Sequence, residues 1–407
     1  MINPWRGLGG LPKSVWILSA ATLVNRAGTM AFPFLVIYLT KTQGYSASTA
    51  GLVLSGYGLG ALVTAPFAGR LSDRVGSLLV MKVSLLLTGV IILLFPLAKS
   101  FPVIIGVAVV WAVVSEAFRP ANMSNLTDLV RPENLKAVFS LNRLAINLGM
   151  SIGPAVGGFL FLISYDAIFW VNGTTSLIAG LMLVLVSGSI PQSTRAGQAI
   201  TRTGTVSRTR MNFWMPRDRR LFYFLVAMVP IFLVFFQHTS SLPVFLVREL
   251  GFPESDFGLL FTVNTVLIIL IEVPLNLATA HLPHHRMLAF AAVLVGCGFG
   301  SLMFVHGFLS AAATVVVWTF GEMIMMPGAS TYLAEISPQH RRGEYMGLFQ
   351  MTFSLAMALS AVLGTTVLDR FGGATLWGGT FVAGCVSAVL LWRLRGEGSR
   401  SIAALSE

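Results

Sequence analysis

The chain has 407 residues, of which 55% are hydrophobic and 11% are charged, and its formal net charge is +11. A soluble domain carries about 25% charged residues, so the composition excludes a soluble globular protein and indicates that a lipid bilayer surrounds most of the chain. The two cysteines, Cys297 and Cys385, lie in different apolar segments and do not indicate a disulfide framework.

Twelve apolar segments follow one another along the chain, each near the length of about 20 residues that a membrane-spanning helix needs. They predict an all-α membrane protein with twelve transmembrane helices. The segments are centred near Leu23, Gly58, Leu87, Val110, Ile152, Leu177, Phe232, Val266, Leu294, Val317, Leu359 and Ala383.

The basic residues are distributed unevenly about these segments. If the N-terminus is cytoplasmic, 20 of the 27 Lys and Arg residues fall on the inner side, as the positive-inside rule requires. This predicts that both termini are cytoplasmic, and it explains the net charge without a nucleic-acid partner. The exceptions are Lys41, Lys99, Arg248 and Arg370 on the outer side, and Arg26, Arg119 and Arg143 within segments.

The two halves of the chain repeat at an offset of 207 residues. The matched pairs include Gly44 with Gly251, Trp111 with Trp318 and Pro120 with Pro327. Such a repeat predicts two pseudo-symmetric six-helix bundles. We expect an N-terminal bundle over residues 1–190, a cytoplasmic linker over 191–219 and a C-terminal bundle over 220–407.

The run Gly69-Arg-Leu-Ser-Asp-Arg-Val-Gly76 lies between the second and third segments. With the repeat, it makes the chain resemble the major facilitator superfamily along its whole length. The resemblance implies a substrate site at the membrane midplane between the halves. It also implies a cytoplasmic gating motif of Gly69, Asp73, Arg74 and Gly76, with Asp128 as a neighbour. We expect Asp73 near the start of the third helix, where the helix dipole stabilises a carboxylate.

A second motif lies in the fifth segment and comprises Gly149, Gly153, Pro154, Gly157 and Gly158. It resembles the motif of the antiporter branches of the superfamily, notably the drug:proton antiporters, and therefore favours antiport over symport. The alternative interpretation is tight helix packing, which small residues promote in membranes.

Charged residues within membrane segments are costly and indicate function. Glu116 and Arg119 are three residues apart, which predicts a shared helix face, and Arg26 lies in the first segment. We hypothesise that Glu116 is the proton-coupling acid and that Arg26 and Arg119 tune its protonation. The alternative is a buried structural ion pair that only sets the helix register.

Other polar residues within segments are candidates for substrate binding. Glu272 and Glu322 have no basic residue nearby in their own segments, which favours a cationic substrate, although either acid could instead reach water at a helix end. The candidates are Asn25, Gln237, His238, Glu272 and Glu322.

No phosphate-binding loop or catalytic constellation occurs, so we expect neither an enzyme nor a cofactor or bound metal. The sequence predicts a monomeric secondary antiporter of the bacterial inner membrane. It would exchange protons for a small amphipathic or cationic molecule by alternating access, as in multidrug efflux. The alternatives are a dedicated exporter of a siderophore, an amino acid or a lysolipid, a proton-coupled uptake symporter, and a non-transporting sensor.

Overall fold

The computed structural model of the protein describes residues 10–130, 134–189, 218–279, 281–338 and 341–394. The predicted linker, residues 191–219, lies outside these ranges except for its last two residues. All regular secondary structure in the described residues is helical. This is the expected result for a chain in lipid, because a helix satisfies its backbone hydrogen bonds within one segment.

The described residues before the linker form eight α-helices and two short 3₁₀ turns. The α-helices are α1 (Lys13–Ala27), α2 (Ala31–Lys41), α3 (Ala47–Val75), α4 (Ser77–Leu94), α5 (Phe101–Glu116), α6 (Phe118–Asp128), α7 (Leu135–Ile163) and α8 (Ala167–Leu185). The 3₁₀ turns are Phe95–Leu97 and Ser187–Ser189.

The described residues after the linker form six further α-helices and three shorter elements. The α-helices are α9 (Arg219–Phe235), α10 (Ser241–Val244), α11 (Glu254–Thr279), α12 (His284–Gly300), α13 (Phe308–Ile336) and α14 (Arg342–Trp392). The shorter elements are the 3₁₀ turns Phe236–His238 and Ser301–Phe304 and the π-helical turn Phe245–Glu249.

Eleven stretches of the described chain are long and apolar enough to cross a membrane, and the last of them, Glu344–Trp392, has 49 residues. A helix of that length would extend about 74 Å, more than twice the hydrocarbon thickness of a bilayer. Gly372 divides it, because its backbone has φ 77° and ψ 170°, outside the helical region. The described residues therefore provide twelve crossings, which confirms the predicted all-α membrane fold.

Contacts between helices divide the described chain into two packing units. The first unit contains α1 to α8 together with Pro253–Ile269, and the second contains α9, α10, the rest of α11 and α12 to α14. The first unit has a core that includes Val15, Leu18 and Met81. The proposed bundle boundaries remain a prediction, and the packing adds that Pro253–Ile269 belongs to the first unit.

The run from Gly69 to Gly76 is the end of a helix and not a loop. α3 continues to Val75, and α4 begins at Ser77. Gly76 alone forms the connection, with φ 93°, a conformation that glycine adopts readily. The expected position of Asp73 at the start of the following helix is therefore wrong. Residue 73 lies in the last turn of α3, where the dipole argument for a carboxylate does not apply.

Candidate functional site

The first membrane segment is broken beside Arg26. α1 ends at Ala27, and α2 begins at Ala31. Pro33 lies in the first turn of α2, lacks an N–H group and would collide with the carbonyl of Thr29 in a continuous helix. The break therefore follows from the sequence, and it leaves Arg26 half-buried in the last turn of α1. Its Nε atom is buried and has no hydrogen-bond partner among the described residues.

Two glycines of α7 allow that helix to contact the break directly. A Cβ atom on Gly149 would lie 2.5 Å from the Cβ of Arg26. A Cβ on Gly153 would lie 2.9 Å from the carbonyl oxygen of Thr29 and 3.1 Å from that of Arg26. A larger side chain at either position would separate the helices, as expected where small residues bring membrane helices together.

The later residues of the same motif contact two other segments. A Cβ on Gly157 would lie 2.7 Å from the Cβ of Met30. A Cβ on Gly158 would lie 2.8 Å from the carbonyl oxygen of Glu254 in the first turn of α11, and the carbonyl of Pro154 faces Gly258. The motif is thus a close-packing surface on α7 for the broken first segment and for α11.

Lys41, at the end of α2, forms an ion pair with Glu254 at the start of α11. The side chain of Glu254 is only 8% exposed, whereas that of Lys41 is 35% exposed. This pair lies next to the contact between Gly158 and Glu254. Both interactions attach the start of α11 to the rest of the first packing unit.

Glu116 accepts a hydrogen bond from Tyr57. The Oη atom of Tyr57 lies 3.3 Å from Oε1 of Glu116 and 3.0 Å from the hydroxyl of Ser115. Tyr57 belongs to α3 and is 7% exposed, whereas Glu116 ends α5 and is half-buried. The carboxyl group of Glu116 is therefore partly shielded from solvent and has a defined polar partner on another helix.

Glu116 and Arg119 do not share an uninterrupted helix face. α5 ends at Glu116, Ala117 forms a turn, and α6 begins at Phe118. Pro120 causes the interruption, because its ring would collide with the carbonyl of Glu116. Arg119 is exposed on the far side of this turn.

The guanidinium group of Arg26 interacts over a distance with the other two charged groups, without forming an ion pair. The charges of Glu116 and Arg119 both act on the guanidinium group of Arg26. Among the described residues, no contact of 4 Å or less joins the Glu116 carboxylate to either guanidinium. In this structure Glu116 is bonded to Tyr57, and Arg26 is available for a closer approach.

A cluster of aromatic side chains adjoins Glu116 through the hydroxyl of Tyr57. The ring centroids of Phe32 and Tyr57 lie 4.6 Å apart, and those of Tyr57 and Trp111 lie 5.4 Å apart. Tyr57 and Trp111 are buried, whereas Phe32 is partly exposed. The group can present an apolar, polarisable surface next to Glu116.

In the second packing unit, the segment that begins with α9 is also broken, and Gln237 lies in the break. The Nε2 atom of Gln237 donates to the carbonyl of Leu233 at 3.1 Å and to the carbonyl and hydroxyl of Ser360 at 3.2 and 3.0 Å. These contacts occupy the amide nitrogen within the protein. The neighbouring His238 is half-buried, and its Nδ1 lies 2.6 Å from the carbonyl of Phe235.

Glu272 and Glu322 lie on two helices of the second unit that are joined by Asn276. The Nδ2 atom of Asn276 donates to the carbonyl of Glu272 at 2.8 Å and to that of Met323 at 3.2 Å. Glu272 is 6% exposed, and Glu322 is half-buried. The two acids therefore belong to one region of this unit, on α11 and α13.

Gly69, Asp73, Arg74 and Gly76 of the predicted gating motif lie at the end of α3 or directly after it. Arg74 is exposed and Asp128, the last residue of α6, is half-buried. The side chain of Asp73 and the surroundings of Gly69 lie outside the described part of the structure. Their proposed role stays a prediction.

Sequence reasoning missed two residues that the structure places at the site. Tyr57 was not considered, although it lies 59 residues from its partner Glu116 and no local spacing connects the two. Asn172, in α8, accepts hydrogen bonds from the backbone N–H groups of Met30 and Ala31. The sequence feature that could have identified Asn172 is a polar residue within an apolar segment, followed by Thr175 and Ser176 on the same helix face.

A family model for the Major Facilitator Superfamily matches residues 18–253 and 231–404. The chain is 25% identical over 363 residues to the uncharacterized MFS-type transporter YqjV of Bacillus subtilis (strain 168), covering 88% of this chain and 87% of that protein. It is 22% identical over 406 residues to a Na⁺, Li⁺, K⁺/H⁺ antiporter of Planococcus maritimus, covering 93% and 95%.

A shorter match relates the chain to the quinolone resistance protein NorA of Staphylococcus aureus (strain MRSA252), with 28% identity over 169 residues, 41% of this chain and 43% of NorA. Among solved structures, a mutant of the nucleoside transporter NupG superposes with a TM-score of 0.81 at 13% identity, covering 94% of this chain and 99% of NupG. That likeness confirms the fold.

Proposed function

The chain belongs to the major facilitator superfamily of membrane transporters, and on that premise we propose that it is a proton-coupled antiporter. It exports a small amphipathic or cationic molecule from the cytoplasm by alternating access, and protons move in the opposite direction. We place it as a monomer in the bacterial plasma membrane with both termini in the cytoplasm. The predicted distribution of basic residues and the bacterial relatives support this placement.

The observation that carries the proposal is the environment of Glu116. This acid interacts electrostatically with Arg26, accepts a hydrogen bond from Tyr57 and adjoins a broken membrane helix. A hydrogen-bond donor and a guanidinium stabilise the ionised carboxylate, whereas loss of water favours the protonated acid. A small movement of α1 or α5 would change that balance, as proton coupling requires.

Proton binding at Glu116 has defined consequences for its neighbours. Once it is protonated, the acid no longer attracts Arg26 and Arg119, and its hydroxyl becomes a donor. Deprotonation restores the attraction and favours a closer approach of Arg26. We propose that this alternation couples proton release to movement of the broken first segment, and that Asp73, Arg74 and Asp128 of the gating motif act at the cytoplasmic end.

For the substrate, we propose Asn25 and the partly exposed Phe32 in the first unit, and His238, Glu272 and Glu322 in the second. Buried acids in a transporter favour a cationic ligand, and aromatic faces suit its apolar part. Gln237 is omitted, because its amide nitrogen is bonded to Leu233 and Ser360.

Efflux is supported by the likeness to NorA and by the close-packed glycine motif of α7. A second candidate, exchange of monovalent cations for protons, is favoured by the Planococcus maritimus antiporter, whose match covers nearly the whole chain. A dedicated metabolite exporter would share the proton site and differ only in its substrate residues. An uptake symporter is the remaining alternative.

Purified protein in proteoliposomes with an internal pH-sensitive dye tests the proposal. We expect that adding cationic dyes or fluoroquinolones to vesicles with an imposed pH gradient releases protons in exchange for substrate. Na⁺ or K⁺ added alone, with an impermeant cation as control, tests the second candidate. Substrate that accumulates in the same direction as protons would contradict antiport.

A further inference from the structure

Three polar side chains on one face of α8 contact the break in the first membrane segment. They belong to Asn172, Thr175 and Ser176, which lie three and four residues apart and therefore share a helix face. The rest of this face is apolar or small. Neither the glycine motif of α7 nor the interactions of Glu116 account for these three residues.

Asn172 caps the second half of the broken segment. Its Oδ1 atom accepts hydrogen bonds from the backbone N–H groups of Met30 at 3.3 Å and Ala31 at 3.1 Å. The first N–H groups of a helix lack partners within it, and in a membrane such groups need another protein acceptor. Asn172 is 3% exposed, so its carbonyl oxygen replaces water as the cap of α2.

The other two residues contact the first half of the break. Ser176 donates from its Oγ to Oδ1 of Asn25 at 3.0 Å, and Thr175 packs against Gly28 so closely that a Cβ there would overlap it. α8 thus binds residues on both sides of Arg26. A second helix, α7, contacts the backbone of Arg26 through Gly149 and Gly153.

In the second packing unit, the backbone groups at the helix break find their hydrogen-bond partners in a different way. There the side chains of Gln237 and Ser360 provide hydrogen bonds to the backbone at the break after α9. The hydroxyl of Ser360 donates to the carbonyl of Leu233 at 2.9 Å. Leu233 occupies the repeat position of Arg26 at the offset of 207 residues. Of the two broken segments, the one that carries a charge is therefore the one whose backbone N–H groups are capped by a neighbouring helix.

We propose that Asn172 is a positioning residue for proton coupling. By capping α2 it determines the geometry of the break and hence the separation between the Arg26 guanidinium and the Glu116 carboxylate. Ser176 supports the same geometry through Asn25. This inference rests on the proposed function, because it assumes that Glu116 carries the proton.

The test is a double-mutant cycle on the pH profile of transport in proteoliposomes, with Asn172→Ala, Arg26→Met and the double variant. A displaced guanidinium stabilises the carboxylate less. In a plot of transport rate against pH, we therefore expect the fall in rate on the acidic side, the acidic limb of the profile, to move to higher pH by about one unit in each single variant. In the Arg26→Met background, Asn172→Ala should cause no further shift, because coupled residues are not additive.

Asn142→Ala is the matched control, since Asn142 is also buried in the first unit and bonds Asn122 at 3.0 Å. It should lower thermal stability without moving the profile. If Asn172→Ala gives no folded protein, Ser176→Ala takes its place in the cycle. An equal shift from Asn172→Ala with and without Arg26 would overturn the inference.

Glu116→Gln, measured in parallel, separates this inference from the proposed function. If the wild type shows no proton-coupled exchange, the proposed function is overturned. If Glu116→Gln still couples protons to transport, the assignment of Glu116 as the proton carrier is overturned and the positioning role with it. If Glu116→Gln is uncoupled but Asn172→Ala keeps the wild-type profile, only the positioning role is overturned.

Discussion

The hydroxyl of Tyr57 donates a hydrogen bond to Oε1 of Glu116 at 3.3 Å, joining α3 to the end of α5. This places a donor beside the acid that we propose as the proton carrier. The same tyrosine packs its ring against Phe32, just beyond the break in the first segment. Tyr57 therefore connects the proton site to the segment that we expect to move.

Tyr57→Phe should shift the acidic limb of the transport profile to higher pH. The variant keeps the ring packing and removes the donor, and a hydrogen bond to a charged group contributes about 1.5–3 kcal/mol, equivalent to about one to two pH units. Tyr38→Phe is the control, because its hydroxyl bonds Asp166 at 3.0 Å, away from Glu116. A shift in both variants, or in neither, would contradict the role of Tyr57.

Gly153→Ala should abolish transport and lower the thermal unfolding temperature in detergent. The added methyl group would meet the carbonyl oxygens of Thr29 and Arg26 at 2.9 and 3.1 Å, and backbone atoms cannot easily move aside. Gly106→Ala in α5 is the control, because no atom lies within 4 Å of its added Cβ. There the higher helix propensity of alanine should leave stability unchanged or raise it by up to about 1 kcal/mol.

The ion pair between Lys41 and Glu254 should contribute more to transport than the pair between Arg248 and Asp369. Lys41→Glu places two carboxylates together at a site where Glu254 is 8% exposed, and we expect a large loss of transport that the double variant Lys41→Glu, Glu254→Lys partly restores. Arg248→Glu is the control, because Arg248 is 51% exposed and 3.5 Å from Asp369, and exposed pairs contribute about 0–1 kcal/mol. Failure of the double exchange to recover activity would argue against pairing.

Asp218 should make the stability of the second packing unit depend on pH. Burial raises the pKa of Asp218, but hydrogen bonds from Tyr345 and from the N–H groups of Arg220 and Leu221 outweigh it and lower the pKa below its usual value of 3.8. A lowered pKa means that the stabilisation is complete above about pH 4 and is lost as the pH falls through the folded-state pKa.

Tyr345→Phe removes the 2.6 Å hydrogen bond to Asp218 and tests this pH dependence. Its unfolding temperature should lie below that of the wild type at pH 7, and the difference should shrink at pH 3. Tyr223→Phe on the same helix as Arg220 serves as a control for loss of a tyrosine hydroxyl. A difference that is constant between pH 7 and pH 3 would show that Asp218 is not responsible.

Much of the fold could be predicted from the sequence, because the length of an apolar segment is a strong signal for a membrane helix. The breaks after Ala27 and Glu116 were not predicted, although Pro33 and Pro120 cause them. A proline frees backbone groups of a membrane helix from their hydrogen bonds. Whether the helix then bends or breaks depends on which neighbouring residues bond those groups instead. At the first break that neighbour is Asn172, far away in the chain.

The candidate site was predicted only as a set of charges. Spacing along the chain favoured a shared face for Glu116 and Arg119, and the helix between them is interrupted at Ala117, whose backbone keeps helical dihedral angles of φ −69° and ψ −24°. The partner of Glu116 is Tyr57, on another helix. Pairings between helices depend on tertiary packing, so a single sequence without a local spacing rule could not identify this one.

The most direct measurement is proton-coupled transport by Glu116→Gln in proteoliposomes, with the wild type and Glu322→Gln alongside. Glutamine keeps the size and the hydrogen-bond acceptor of Glu116 but cannot release a proton. We predict that the variant folds, binds substrate and exchanges it down its own gradient, and that an imposed pH gradient no longer drives transport. Transport that responds to the pH gradient as in the wild type would contradict the assignment of Glu116 as the proton carrier.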